Sequence, residues 1–181
     1  MTVPRLSPAL ALCASSLLLL AAPAGAAPLK GTDFRASVPD GWTLRAERPG
    51  GGTRTFYAAS AGRLDAVNVP RRGRLGLALL DCRLTTAGRR MSLSTLATRT
   101  VGFPRSASRI RRLRRGTTSV DGTRAVFLRF RYRYRGRTIY QANVVTRRAG
   151  RLVFIETTSD LSRRPSNDRV RGRFLSTWQW R

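Results

Sequence analysis

Five arginines stand at every second position in the stretch RFRYRYRGRTIYQANVV: Arg129, Arg131, Arg133, Arg135 and Arg137. A guanidinium stays charged at any physiological pH. It presents its N–H donors as a flat fork, so it grips phosphate, sulfate or carboxylate through two hydrogen bonds at once. Just upstream, RIRRLRR supplies five more, between Arg109 and Arg115. Strand pairing would bring Arg111, Arg112 and Arg114 alongside the first set. These eight side chains are the candidate anion-binding residues.

Other chemistry is poorly provided for. The chain has no histidine, which removes the commonest general base near neutral pH and the commonest metal ligand. A Ser-His-acid or Cys-His arrangement therefore cannot be built. The nine carboxylates are spread along the chain and form no acidic calcium loop. Neither a GxxxxGK[ST] nor a GxGxxG phosphate cradle occurs. The expectation is a non-enzymatic protein with no cofactor and no metal.

The arginines need an element to position them. VDGT contains Asp-Gly, which suits a two-residue hairpin turn because both central residues need positive φ. The strand after it runs Thr123 to Tyr134. Its even positions are Val126, Leu128, Phe130, Tyr132 and Tyr134, and its odd positions from 129 are arginine. Strand geometry sends the two sets to opposite faces. Gly136 makes the next turn, TIYQANVVT returns, RRAG turns again and RLVFIETT adds a further strand. The pattern is an antiparallel meander with one buried face.

Elsewhere, FRASVPDGWTL reads as a short strand, a Pro-Asp-Gly turn and a second extended piece, with Trp42 in the core. RTFYAAS is a strand, and LDAVNV is another, stopped by Pro70. The run from Leu75 to Leu84 is continuously apolar and fits strand or helix. SLSTLATRTVGF has Leu93, Leu96, Ala97 and Val101 at helical spacing, capped by Ser92 and stopped by Gly102 and Pro104. A last helix, NDRVRGRFLSTW, has Ser166 as its expected N-cap and Asp168 in its first turn. Two helices and about seven strands, without a Pro- or Ser-rich linker, predict one α+β domain over residues 27–181.

Residues 1–26 are expected to be a secretory signal: Arg5, the apolar run ALALCASSLLLLAAPA and the small residues Ala24-Gly25-Ala26. Removing them leaves 34 basic residues against nine acidic ones, a net charge of +25. An excess of this size attracts polyanions. It also leaves Cys82 as the last cysteine, expected to be buried and inert within LGLALLDCRL.

Three stretches together, FRASVPDGWTL, VDGTRAVFLRFRYRYRGRTIYQANVV and RFLSTWQW, resemble in order and spacing the PsbP-like superfamily. That superfamily includes photosystem assembly subunits, Ran-binding relatives and exported bacterial proteins. The resemblance covers roughly residues 32–180. It implies an antiparallel sheet with helices packed on both faces, an α/β/α sandwich, and a binding or assembly module with no shared catalytic site.

Whether the arginines bind anything turns on energetics. Counting back from the Asp-Gly turn, an unbulged ladder sets Arg114 opposite Arg129 and Arg112 opposite Arg131. A bulge at Gly116 would instead set Arg111 opposite Arg131. Two unit charges ~7 Å apart in water, screened by salt, repel by ~0.25 kcal/mol, so a stripe of five costs roughly 1 kcal/mol. A fold tolerates that without a ligand, and the stripe reads first as a solvated sheet face. Its second reading is a docking surface for anionic envelope polymers, anionic lipid heads or an acidic protein, in the secreted or cell-envelope space. Specific nucleic-acid binding is not expected. An apolar interface with the arginines merely solvated is the competing reading.

Overall fold

The computed structural model describes residues 27–50, 53–60, 64–66 and 69–181. The expected signal segment, residues 1–26 with Cys13, lies outside them. In chain order the first elements are β1 (Pro28–Lys30), β2 (Phe34–Ser37), β3 (Thr43–Gly50), β4 (Thr53–Ala59), β5 (Leu64–Ala66), β6 (Val69–Pro70) and β7 (Leu75–Arg83). Helices α1 (Thr86–Arg90) and α2 (Leu93–Thr100) follow. Then come β8 (Ser108–Val120), β9 (Thr123–Tyr134), β10 (Arg137–Arg148) and β11 (Arg151–Asp160). A 3₁₀ turn at Leu161–Arg163 leads into α3 (Arg164–Ser176), and β12 (Gln179–Trp180) ends the chain.

The meander from β8 to β11 is built by three tight turns of one kind. Asp121-Gly122, Arg135-Gly136 and Ala149-Gly150 each place two successive residues at positive φ, between 44° and 76°. Paired positive φ is what a type I′ hairpin requires, and its twist matches that of the flanking strands. The meander joins β7, β4 and β3 in a seven-stranded antiparallel sheet, ordered β3-β4-β7-β11-β10-β9-β8. The ambiguous run at Leu75 is thus a central strand, apolar from Leu75 to Leu80 because both its faces are covered.

Two layers close the sheet. On one face α2 packs over β9 and β10, burying Leu96 and Ala97 against Val126, Leu128, Val145 and Phe154. On the other face, α3 and the small sheet β1-β2-β12 bury Phe34, Phe174 and Trp178 against Leu77, Ala125, Val144 and Ile155. Phe34 stacks on Trp178 with ring centroids 4.0 Å apart, and Trp180 meets both edge-on. Trp42 packs partly buried against the same core. The α/β/α sandwich is therefore the observed architecture.

Ser92 caps α2 as its position predicts, accepting from the Thr95 N–H at 3.0 Å. Several expectations need correction. The last helix begins at Arg164, not after Ser166. Pro165 occupies its first turn, where the missing N–H costs nothing, so Ser166 lies inside the helix and does not cap it. LDAVNV forms parts of two very short strands, β5 and β6, with Pro70 inside the second. The short helix α1, capped by Thr85, has no apolar period to announce it. Cys82 is half-buried, not buried. Burial nonetheless pushes its thiol pKa up, with the neighbouring Asp81 carboxylate adding to the effect.

The β8–β9 register follows the unbulged form from the turn as far as Arg114 and the shifted form beyond it, with the slip in a different place from the one expected. Gly116 pairs regularly with Phe127, and the ladder slips instead between Arg112 and Arg114 and again between Ser108 and Arg111. The unbulged part sets Arg114 opposite Arg129, as the count from the turn predicts, and the first slip then sets Arg112 opposite Phe130 and Arg111 opposite Arg131. Gly116 has a packing reason to be glycine. A Cβ there would come within 2.6 Å of the Phe127 ring.

Candidate anion-binding surface

The strand hypothesis for residues 123–134 holds, but the five alternate arginines do not form one stripe. Only Arg129, Arg131 and Arg133 share a face of β9, the face that carries α3. Arg135 leaves the strand as the first turn residue, at φ 46°, and its guanidinium lies over the Tyr134 ring. The two-residue turn then reverses the phase of alternation. Arg137 pairs across with Tyr134, which places it on the α2 face of the sheet.

Their environments differ as much as their directions. Arg137 is a structural residue. Its Nε donates to Asp160 Oδ1 at 2.9 Å and its Nη1 to the Pro70 carbonyl at 3.1 Å. Asp160 also accepts from the Gly73 N–H at 2.7 Å. Burial pushes the Asp160 carboxyl up, but the bonds from Arg137 and Gly73 outweigh it and hold the pKa below the ordinary value. Arg129 reaches under α3 to within 4.0 Å of Asp168. That carboxylate also accepts from Arg171 at 2.7 Å and from the buried Tyr140 hydroxyl at 2.9 Å.

The conflict between Arg114 and Arg129 has a physical resolution. Both guanidiniums lie over the Phe127 ring, 5.7 and 5.5 Å from its centroid. Each gains a cation–π contact with the same ring, and Asp168 neutralises part of the Arg129 charge. Arg111 opposite Arg131 has no such relief. Among the described residues neither pairs with a carboxylate. Instead Arg109, Arg111, Arg131 and Arg133 line a cleft of about 360 Å³ with Tyr132, Thr138 and Leu161.

A second cleft of about 610 Å³ opens beside it and shares Thr138 and Leu161. It gathers Arg72, Arg135, Arg137 and Arg163 from three separate segments, with Asp160 as its one acid. The β9–β10 end of the sheet thus presents eight guanidiniums around one threonine. Of the eight residues singled out in sequence, Arg111, Arg131, Arg133, Arg135 and Arg137 line the two clefts. Arg129 is drawn under α3, and Arg112 and Arg114 lie along the outer strand. Sequence reasoning missed Arg72, Arg109, Arg163 and Thr138. Arg109 was visible in RIRRLRR, whereas Arg72 and Arg163 arrive only through the fold.

The two carboxylates nearest in sequence, Glu156 and Asp160, stand on one face of β11 but serve different partners. Glu156 is buried and accepts from Gln141 Nε2 at 2.8 Å. Gln141 also donates to Asn143 and to the Gly102 carbonyl. This polar network anchors the segment leaving α2 and is remote in character from the arginine clefts.

No family model matches the chain, and no curated protein matches it. Solved structures do. Cyanobacterial PsbP (CyanoP) from Synechocystis is 11% identical, with a TM-score of 0.56 over 89% of this chain and 95% of that one. PA94, a protein of unknown function from Pseudomonas aeruginosa, is 14% identical, with a TM-score of 0.50 over 84% and 94%. LpqN, involved in cell envelope biogenesis of Mycobacterium tuberculosis, is 12% identical, with a TM-score of 0.49 over 86% and 85%. At these identities the likeness to the first two establishes the fold alone: the chain has a PsbP-like α+β architecture, as the sequence resemblance implied.

Proposed function

We propose that the chain is an exported, non-enzymatic binding module that docks on an anionic partner through the clefts at the β9–β10 end of the sheet. One observation carries this reading. Arg109, Arg111, Arg131 and Arg133 converge on a cleft whose lining contains no carboxylate. Elsewhere the fold matches half-buried arginines to acids, as in Arg137–Asp160, Arg151–Asp81 and Arg171–Asp168. Unmatched guanidiniums held together repel one another unless an anion joins them. Export rests on the charged start, apolar run and small residues within positions 1–26. The absence of any histidine from the chain supports a binding role over a catalytic one.

The test is retention on a sulfated-polysaccharide matrix at low salt. Wild-type protein is expected to bind and to leave at about 0.3–0.5 M salt, where screening is nearly complete. Replacing Arg109, Arg111, Arg131 and Arg133 with glutamine should lower the eluting salt markedly. The same number of replacements at Arg45, Arg99, Arg169 and Arg173, outside the clefts, should lower it less. Passage of the wild type straight through, or equal effects from the two sets, would overturn the proposal.

A further inference from the structure

The outer strand β8 carries a feature that charge alone does not account for. Among the described residues, the large hydrophobic side chains left exposed are Ile110 and Leu113, at 46% and 40%. Both stand inside RIRRLRR, flanked on each side by arginine. Both also occupy positions without a cross-strand partner, one in each slip of the β8–β9 ladder. The preceding Arg109 has φ 51°. A bulge releases a residue from the ladder and re-aims its side chain, so the two slips present two aliphatic side chains at the sheet edge.

An edge interrupted twice within six residues, and carrying five arginines over residues 109–115, is a poor template for another strand. Strand addition is therefore not the docking mode. The composition also runs against a protein partner, because the apolar centre of such an interface is enriched in aromatic anchors, whereas the exposed large hydrophobics among the described residues are two aliphatics. A soluble polyanion would engage the arginines and leave Ile110 and Leu113 in water. A bilayer surface offers both components: phosphates at the headgroup level for the cations and hydrocarbon just below for the aliphatic tips.

We infer that β8 docks the protein edge-on to an anionic phospholipid surface, with Ile110 and Leu113 reaching the acyl boundary and the cleft of Arg109, Arg111, Arg131 and Arg133 holding a headgroup phosphate. The inference rests on the docking reading above and names its partner. Ile110 lies between two of the cleft arginines, so insertion and phosphate capture occur at one place. No helix among the described residues is long and apolar enough to cross a membrane, and this attachment needs none.

The test uses the processed chain and vesicles of phosphatidylglycerol or phosphatidylcholine at 0.15 M salt, read by sedimentation. The wild type is expected to sediment with the first and remain free with the second. The double variant Ile110→Ser, Leu113→Ser should lose at least about 10-fold in partition onto phosphatidylglycerol. Both sites are exposed, so its folding should be intact, and its elution from the sulfated matrix should not change. The four-arginine variant should lose on both supports. Wild-type binding to the matrix but not to the vesicles overturns the lipid inference and leaves the docking reading standing. Equal vesicle binding by wild type and the serine variant overturns insertion. Failure on both supports overturns the docking reading itself.

Discussion

Asp168 gathers Tyr140, Arg171, Arg164 and Arg129 around one carboxylate, and this shows how the molecule divides its arginines. Arginines such as Arg171 and Arg151 meet an acid and hold the fold, whereas the cleft at the β9–β10 end gathers four that meet none among the described residues. The division has a pH signature. Burial pushes the Asp168 carboxyl up, but hydrogen bonds from Arg171 and Tyr140 and the nearby guanidiniums outweigh it, leaving the pKa below its ordinary value. Asp160 is lowered in the same way by Arg137 and Gly73. A carboxyl whose pKa is lowered by folding adds stability above its unfolded value, near 3.9. That stability is lost as pH falls through the folded value. Unfolding free energy is therefore expected to change little from these groups between pH 7 and 5 and to drop below about pH 4. Asp168→Asn should show a flatter acid limb in urea titrations, and at pH 7 it should be less stable by about 1–3 kcal/mol. An acid limb identical to that of the wild type would exclude Asp168 from this role.

At the scale of the element, the β8–β9 hairpin shows which features were legible in the sequence. The turn was, because Asp-Gly is a local signal, and so was the extended state of residues 123–134, because alternation is local too. The slips at Leu113 and near Arg109 were not. A linear count from the turn carries one register along the whole ladder and cannot see where it shifts. The five-arginine stripe failed for a related reason: a two-residue turn resets which face alternate residues occupy. The clefts were legible only in part, since Arg72 and Arg163 come from segments far off in the chain. Gly116 tests the packing account. Gly116→Val should displace the Phe127 ring and cost about 1–3 kcal/mol by overpacking. It should also loosen the two guanidiniums stacked there. Gly102→Val, where a Cβ meets nothing within 4 Å, should cost less in the same urea experiment.

Over the whole molecule, the net charge of +26 acts against compactness, because like charges drawn together by folding repel. Each neighbouring pair contributes only ~0.25 kcal/mol at physiological salt, but the pairs around the two clefts add up to roughly 1 kcal/mol. Salt and substitution should therefore both act with a predictable sign. Raising ionic strength from ~0.01 to 0.15 M shortens the Debye length from about 30 to 8 Å and should raise the melting temperature by a few degrees. Replacing Arg109, Arg111, Arg131 and Arg133 with glutamine should do part of the same work, leaving the variant more stable than wild type at low salt. It should also be less responsive to added salt. Arg151→Gln should go the other way, because it strands the buried Asp81 carboxylate that Arg151 holds at 2.7 Å. A set of side chains whose removal stabilises the fold is held there by something other than folding. If thermal melts instead show the four-glutamine variant less stable than wild type at every salt concentration, those arginines serve the structure, and the case for a docking surface at that end of the sheet goes with them.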